Sequence, residues 1–210
     1  MRTEFILRAA ETVNAAILSH EAEIESLDRE IGDGDHFINM KRGCAAIVAL
    51  SGELAGLTPD AALQKIGMKL LSTIGGASGP LIASFFMAMG KAAKERGAET
   101  PPEIAAAFAD GVAAIQSRGK ADVGEKTLLD VLIPVSRAFT RLAEAGGDRA
   151  DLFAELKREA EQGMLSTRSM IATKGRAAFL GERAIGHIDP GAKTSQVIIH
   201  AVCDLALAEG

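Results

Sequence analysis

Apolar residues recur at helical spacing along most of the 210-residue chain. Phe5, Ile6, Ala9, Val13, Ala16 and Ile17 fall on one face, with Arg2, Arg8, Glu11 and Glu21 mostly off it. A second helix begins at His36 to Asn39, and Leu63, Ile66, Leu70 and Ile74 mark a third. Pro80 suits a first turn, and that helix runs on through Met87 to Lys94. Pro101-Pro102-Glu103 opens the next, with Thr100 as N-cap. Leu128 to Glu144, Arg149 to Thr173 and Ser195 to Glu209 complete about eight segments, parted by short Gly, Pro or Asp breaks. No strand–helix alternation or 20- to 50-residue repeat stands out. Short connections make successive helices antiparallel. The pattern predicts one all-α domain over residues 1–210, an up-and-down bundle or closed ring.

Composition agrees. The chain is 48% hydrophobic with no Trp or Tyr, so its core is built from aliphatic residues and Met. That favours helices over a β-sandwich, whose strands are rich in aromatic residues. The formal charge is −5, with no basic stripe for nucleic acid. Cys44 and Cys203 lie far apart without a C-x-x-C, as expected of buried thiols in a reducing cytoplasm. No long apolar h-region opens the chain and no apolar run could span a membrane, so neither export nor insertion is expected.

Unusual chemistry concentrates in four loops: IGDGDH (31–36), GGASGP (75–80), RGKADVGEKT (118–127) and KGRAAFLGERAIGHIDPGAKTS (174–195). In an up-and-down arrangement all four can share one end. The first loop, with Asp28 just before it, crowds Asp28, Asp33 and Asp35 into eight positions. Crowded carboxylates suit a hard cation. An EF-hand fails, because Ile38 stands where Gly is needed and Cys44 where Glu is needed. Mg²⁺ shared with phosphate is one reading, and a solvated acidic turn is the other.

His36 and Asn39 open a helix whose free N–H groups attract phosphate, although ordinary capping accounts for them too. In GGASGP, glycines allow close approach and Ser78 offers a hydroxyl, as also in a plain helix–helix turn. Gly119 and Gly124 have P-loop separation, but Glu125 intervenes before Lys126 and Thr127, so the P-loop is rejected. The last loop brings Lys174, Arg176, Arg183, His187 and Asp189. Its cations complement phosphate, or else form surface ion pairs of little energetic weight. Jointly the loops hold the parts of a phosphoryl-transfer site.

LDREIGDGDHFINMKRG, GGASGPL, SRGKADVGEKTLLDVLIPV and KGRAAFLGERAIGHIDPGAKTS together resemble the nucleotide-binding L-subunit family of dihydroxyacetone kinases, over essentially the whole chain. The same module closes single-chain ATP-dependent kinases. The resemblance implies an antiparallel eight-helix barrel with ADP or ATP at its open end. It implies two Mg²⁺ ions on Asp28, Asp33 and Asp35. It sets His36, Phe37, Ile38 and Asn39, with Ala77 and Ser78, on the phosphates. Gly119 and Leu128 fall around adenine and ribose, and Asp189, Pro190 and Gly191 at the nucleotide and closing loop. Arg176 is implied as the nucleotide-loop cation, able to stabilise charge on a phosphoryl group in flight. The sugar-holding histidine belongs to a separate K-type subunit, so His20, His187 and His200 are not given that role.

Bulky Phe37 and the Glu of Gly124-Glu125-Lys126-Thr127 depart from the family pattern. The expected activity is phosphoryl transfer to a small hydroxyketone held by the partner. A phosphotransferase-system M-type carrier would recharge bound nucleotide, or ATP would exchange. A nucleotide-sensing subunit is the non-catalytic alternative, and a homodimer is a further assembly to consider.

Overall fold

The computed structural model describes residues 1–209 and contains helices without strands among them. The α-helices are α1 (Thr3–Ser19), α2 (Glu21–Ile31), α3 (His36–Ala49), α4 (Ser51–Leu54), α5 (Pro59–Thr73), α6 (Ser78–Arg96), α7 (Pro101–Gly119), α8 (Leu129–Ala145), α9 (Arg149–Ser166) and α10 (Pro190–Ala208). Two 3-10 segments, Thr167–Ser169 and Arg176–Ala184, lie between α9 and α10.

Eight of these helices form a closed cycle, in the order α1, α3, α5, α6, α7, α8, α9, α10 and back to α1. This is the expected eight-helix barrel. Helix α2 stands outside the cycle, against α3, α10 and the longer 3-10 segment. Successive wall helices alternate in direction. At one end the Thr3 hydroxyl donates to Leu57 O at 2.8 Å, the Met1 amino group to Ala98 O, and Arg149 Nη2 to Ala206 O at 2.8 Å. Connections 20–35, 74–77, 120–128 and 167–189 therefore all fall at the other end, called the mouth here.

Local chemistry explains several boundaries. Thr100 and Glu103 form a reciprocal capping box at the start of α7, as its sequence predicts. The first apolar stripe is not one helix through Glu21. The His20 N–H bonds Ile17 O and its ring Nδ1 meets Ala16 O at 2.8 Å, so the α ladder stops there. Helix α9 ends at Ser166, short of Thr173, by tightening into 3-10 geometry. Helix α10 begins at Pro190 instead of Ser195. Asp189 caps it by accepting the Ala192 N–H at 2.8 Å, and Pro190 fills its first position.

The core follows the ring. Val112, Ile115, Leu129, Val135, Leu156 and Ile199 belong to the cluster beneath α7 to α10, and Leu54, Leu63, Ile66 and Leu70 to the one beneath α4 to α6. Phe85 packs against both, with its ring 5.5 Å from that of Phe108, edge to face. In α8, Pro134 removes an N–H and frees the carbonyl of Asp130. Gly163 of α9 packs against that carbonyl, leaving no room for a side chain.

Candidate functional site at the mouth

The acidic loop takes its shape from its neighbours. Asp28 stands in the last turn of α2 and is 4% exposed, whereas Asp33 and Asp35 are open to solvent. One carboxylate oxygen from each falls within 4.8 Å of the others. Gly32 permits this, because a Cβ there would run into the Asp28 carboxylate. Asp28 Oδ2 accepts the His36 N–H at 2.9 Å and so joins α2 to the first turn of α3. Burial pushes the Asp35 carboxyl up, and the hydrogen bond and charge of Asp33 push it further, against the Asn39 amide. Three hard oxygen donors, crowded enough that Asp35 is held above the ordinary carboxylate range, fit a cation of the Mg²⁺ type.

Helix α3 supplies the next layer. Burial holds the His36 ring below its ordinary pKa, against the pull of Asp28, Asp35 and Asp33. The Thr194 hydroxyl donates to Pro190 O at 2.8 Å, so its oxygen accepts from His36 Nε2–H at 2.7 Å. That assignment leaves Nδ1 with the lone pair. The Phe37 and Ile38 amides stand in the first turn, where N–H groups lack intrahelical partners. The Phe37 side chain, however, does not face the mouth. It is 2% exposed and packs with Ile17, Ile24, Met40, Cys44 and Val197, so only its main chain is available to a phosphate. Asn39 is buried, and its Oδ1 accepts from Arg42, a cation that the loop motifs do not single out.

The other loops close the circle. A Cβ on Gly75 would stand 3.7 Å from Asn39 Oδ1, which brings the loop of Ala77 and Ser78 beside α3. Gly119, at the end of α7, faces Leu81 of α6 at 3.3 Å from its Cβ position. The Cβ position of Gly191 is 3.6 Å from Leu128 Cβ, so the start of α10 meets the start of α8. Arg176 Nε reaches Asp33 Oδ2 at 2.7 Å, with the Arg176 side chain 70% exposed. The expected site residues from all four loops thus lie at one end of the ring.

The GEKT stretch is where sequence reasoning falls short. Lys126 is 1% exposed with φ +60°. Its Nζ donates to Thr167 O and His187 O, both at 2.5 Å, near the two ends of the last mouth loop. Burial lowers its pKa, opposed by Asp189 and Asp130. Asp130 is equally buried and accepts the Gly124 N–H at 2.5 Å and the Thr127 N–H at 2.7 Å. Thr127-Leu128-Leu129-Asp130 has capping-box spacing, the signal that would have found it. Glu125, one of the two departures, accepts from the Thr173 hydroxyl at 2.7 Å and lies 3.7 Å from Lys174 Nζ. It ties two mouth loops together.

An eight-helix ring with a carboxylate cluster and an arginine at one end is a recognisable class of protein. The chain belongs to the DAK2 domain family, whose model matches residues 30–204. It is 41% identical over 194 residues to the Escherichia coli (strain K12) PEP-dependent dihydroxyacetone kinase, ADP-binding subunit DhaL, covering 92% of each chain. It is 40% identical over 193 residues to the PTS-dependent dihydroxyacetone kinase, ADP-binding subunit DhaL, of Lactococcus lactis, covering 91% of this chain and 92% of the other. A crystal structure of the dihydroxyacetone kinase from C. freundii in complex with AMP-PNP and Mg²⁺ matches with TM-score 0.74 and 26% identity, over 94% of this chain. This chain spans 33% of that kinase. No helix of the described residues is long and apolar enough to cross a membrane.

Proposed function

We propose that the chain, as a single nucleotide-binding domain, is the ADP/ATP-binding subunit of a kinase for dihydroxyacetone or a related small ketose. Its acceptor would be held by a K-type partner subunit. The observation that carries this reading is the convergence of Asp28, Asp33 and Asp35 within 4.8 Å, beside Arg176, at the end where all four motif loops meet.

In this reading the three aspartates hold Mg²⁺, two ions by family resemblance, and the ions supply neutralisation of the nucleotide's phosphates. The main-chain amides of Phe37 and Ile38 and the Ala77-Ser78 turn face those phosphates, the His36 N–H being taken by Asp28. Gly119, Leu128 and Asp189 to Gly191 flank the nucleoside. Asn39 holds Asp35 from the side. Arg176 neutralises Asp33 and stands ready to meet charge on the transferring group.

The relatives' names favour nucleotide that stays bound and is recharged by a phosphocarrier, since both are described as PEP- or PTS-dependent. Exchange of ATP is the competing mode. ADP release on the turnover timescale would exclude the bound-cofactor mode.

Asp28→Ala and Asp35→Asn test the site together. Both should abolish Mg²⁺-dependent ADP binding in calorimetry while the helical circular dichroism persists. Unchanged ADP affinity in both would sink the metal assignment.

A further inference from the structure

Asp35, Asn39 and Arg42 are spaced by four and then three residues at the start of α3, so they share one face of that helix. The ladder is in register here, with the Asn39 N–H on Asp35 O at 3.0 Å. Asn39 is 5% exposed, whereas Arg42 is open to solvent. The Arg42 guanidinium donates through Nη2 to Asn39 Oδ1. Burial and Asp33 raise the Asp35 carboxyl, and the Asn39 side-chain amide draws it down again. Side-chain contacts therefore run from Arg42 through Asn39 to a member of the carboxylate cluster.

The chemistry of the three groups gives this chain of contacts a direction. A primary amide accepts at its oxygen and donates at its nitrogen, and its shape does not decide which end points where. A guanidinium has only donors. With Arg42 beside it, Asn39 turns its oxygen to the arginine and leaves its NH₂ for the carboxylate. The turn before α6 lies against the same pair. A Cβ on Gly75 would stand 3.7 Å from Asn39 Oδ1 and 3.8 Å from Arg42 Nη2. The pair thus adjoins both Asp35 and the turn that carries Ala77 and Ser78.

We propose that Arg42 is a positioning residue of the mouth: by holding Asn39 Oδ1 it aims the Asn39 NH₂ at Asp35 and fixes that carboxylate for a divalent cation. The inference rests on the metal reading above. Charge alone predicts the opposite effect. A nearby arginine repels a divalent cation, so its removal would tighten metal binding, whereas loss of a positioning contact weakens it. Lys41 provides the contrast. It carries the same charge one residue earlier, but lies 3.9 Å from Glu21 and over the Phe37 ring at 5.7 Å.

The test uses the full chain and Mn²⁺ alone, with the free ion followed by electron paramagnetic resonance. Arg42→Met should weaken Mn²⁺ binding about tenfold, the lower end for outer partners of metal ligands. Lys41→Met removes the same charge and should stay within about twofold of wild type. The double variant of Arg42→Met and Asn39→Ala should bind Mn²⁺ no more weakly than Asn39→Ala does, because Arg42 acts through Asn39. In the nitrogen-15 spectrum of the metal-free chain, the Asn39 side-chain NH₂ pair should move in Arg42→Met and stay in place in Lys41→Met. Unchanged or tighter Mn²⁺ binding in Arg42→Met overturns the positioning role alone. So do additive losses in the double variant, which would give Arg42 a contact of its own at the site. Failure of the wild-type chain to bind Mn²⁺ removes the metal reading itself.

Discussion

Arg176 Nε lies 2.7 Å from Asp33 Oδ2, so a cation of the last mouth loop neutralises a carboxylate of the first. In the proposed reading a metal held at Asp33 would compete with Arg176 for that carboxylate and would free the guanidinium for the nucleotide. Arg176→Gln should therefore bind Mg²⁺-ADP within about tenfold of wild type yet lose roughly 10²- to 10³-fold in phosphoryl transfer. Calorimetry and a reconstituted assay separate the two effects. Equal losses in both would make Arg176 a binding residue only.

Lys126 is the buried cation under the last mouth loop. Replacing it by Met leaves His187 O without its lysine donor and Thr167 O with the Met170 N–H alone, and removes the positive charge beside Asp130 and Asp189. Breaking such a buried arrangement costs about 3–5 kcal/mol. Urea unfolding of Lys126→Met measures it, and a loss below about 1 kcal/mol would show that the loop does not depend on this anchor.

Gly163 packs on the carbonyl that Pro134 leaves free, and a Cβ there would also stand 2.9 Å from Val131 Cα. Gly163→Ala must push α9 off α8 and should cost about 1–3 kcal/mol. Gly147 has open space around it, so Gly147→Ala should leave the denaturation midpoint almost unchanged. Comparing the two variants tests the helix contact against a general effect of losing glycine.

Burial raises the Asp189 carboxyl from 3.8 to about 7, against the Ala192 N–H and the charge of Lys126. The folded protein holds that proton more tightly than the unfolded chain does. Between about pH 4 and pH 7 folding is therefore coupled to proton uptake at Asp189. Its contribution to stability is full below the unfolded value and lost as pH rises through the folded one. Asp189→Asn keeps an oxygen for the Ala192 N–H but cannot titrate. The variant's stability relative to wild type should rise steadily across this window in denaturant titrations. A constant difference would place the folded pKa of Asp189 in the ordinary carboxylate range.

Much of this architecture is legible in the chain because each wall helix buries one apolar stripe. Leu63, Ile66 and Leu70 show it in α5, and all three are at most 3% exposed. The break at His20 is hidden, since the stripe continues past it while hydrogen bonds decide the turn. The start of α10 is hidden for a different reason. Lys193, Thr194, Ser195 and Gln196 are polar and buried, and hydropathy reads polar residues as solvent-facing. The three aspartates stand out because like charges so close demand a counter-charge. Lys126 does not, because a lysine in a glycine-containing turn looks the same whether it points to water or to two carbonyls.

The ring closes between α10 and α1, the last and first wall helices of the chain. During synthesis the first seven wall helices can form only an open horseshoe. The final helix brings both the seam and Thr194, the partner of His36, together with the Asp189 cap beneath the mouth. A chain that stops short of α10 thus lacks one wall of the ring and part of its mouth at once.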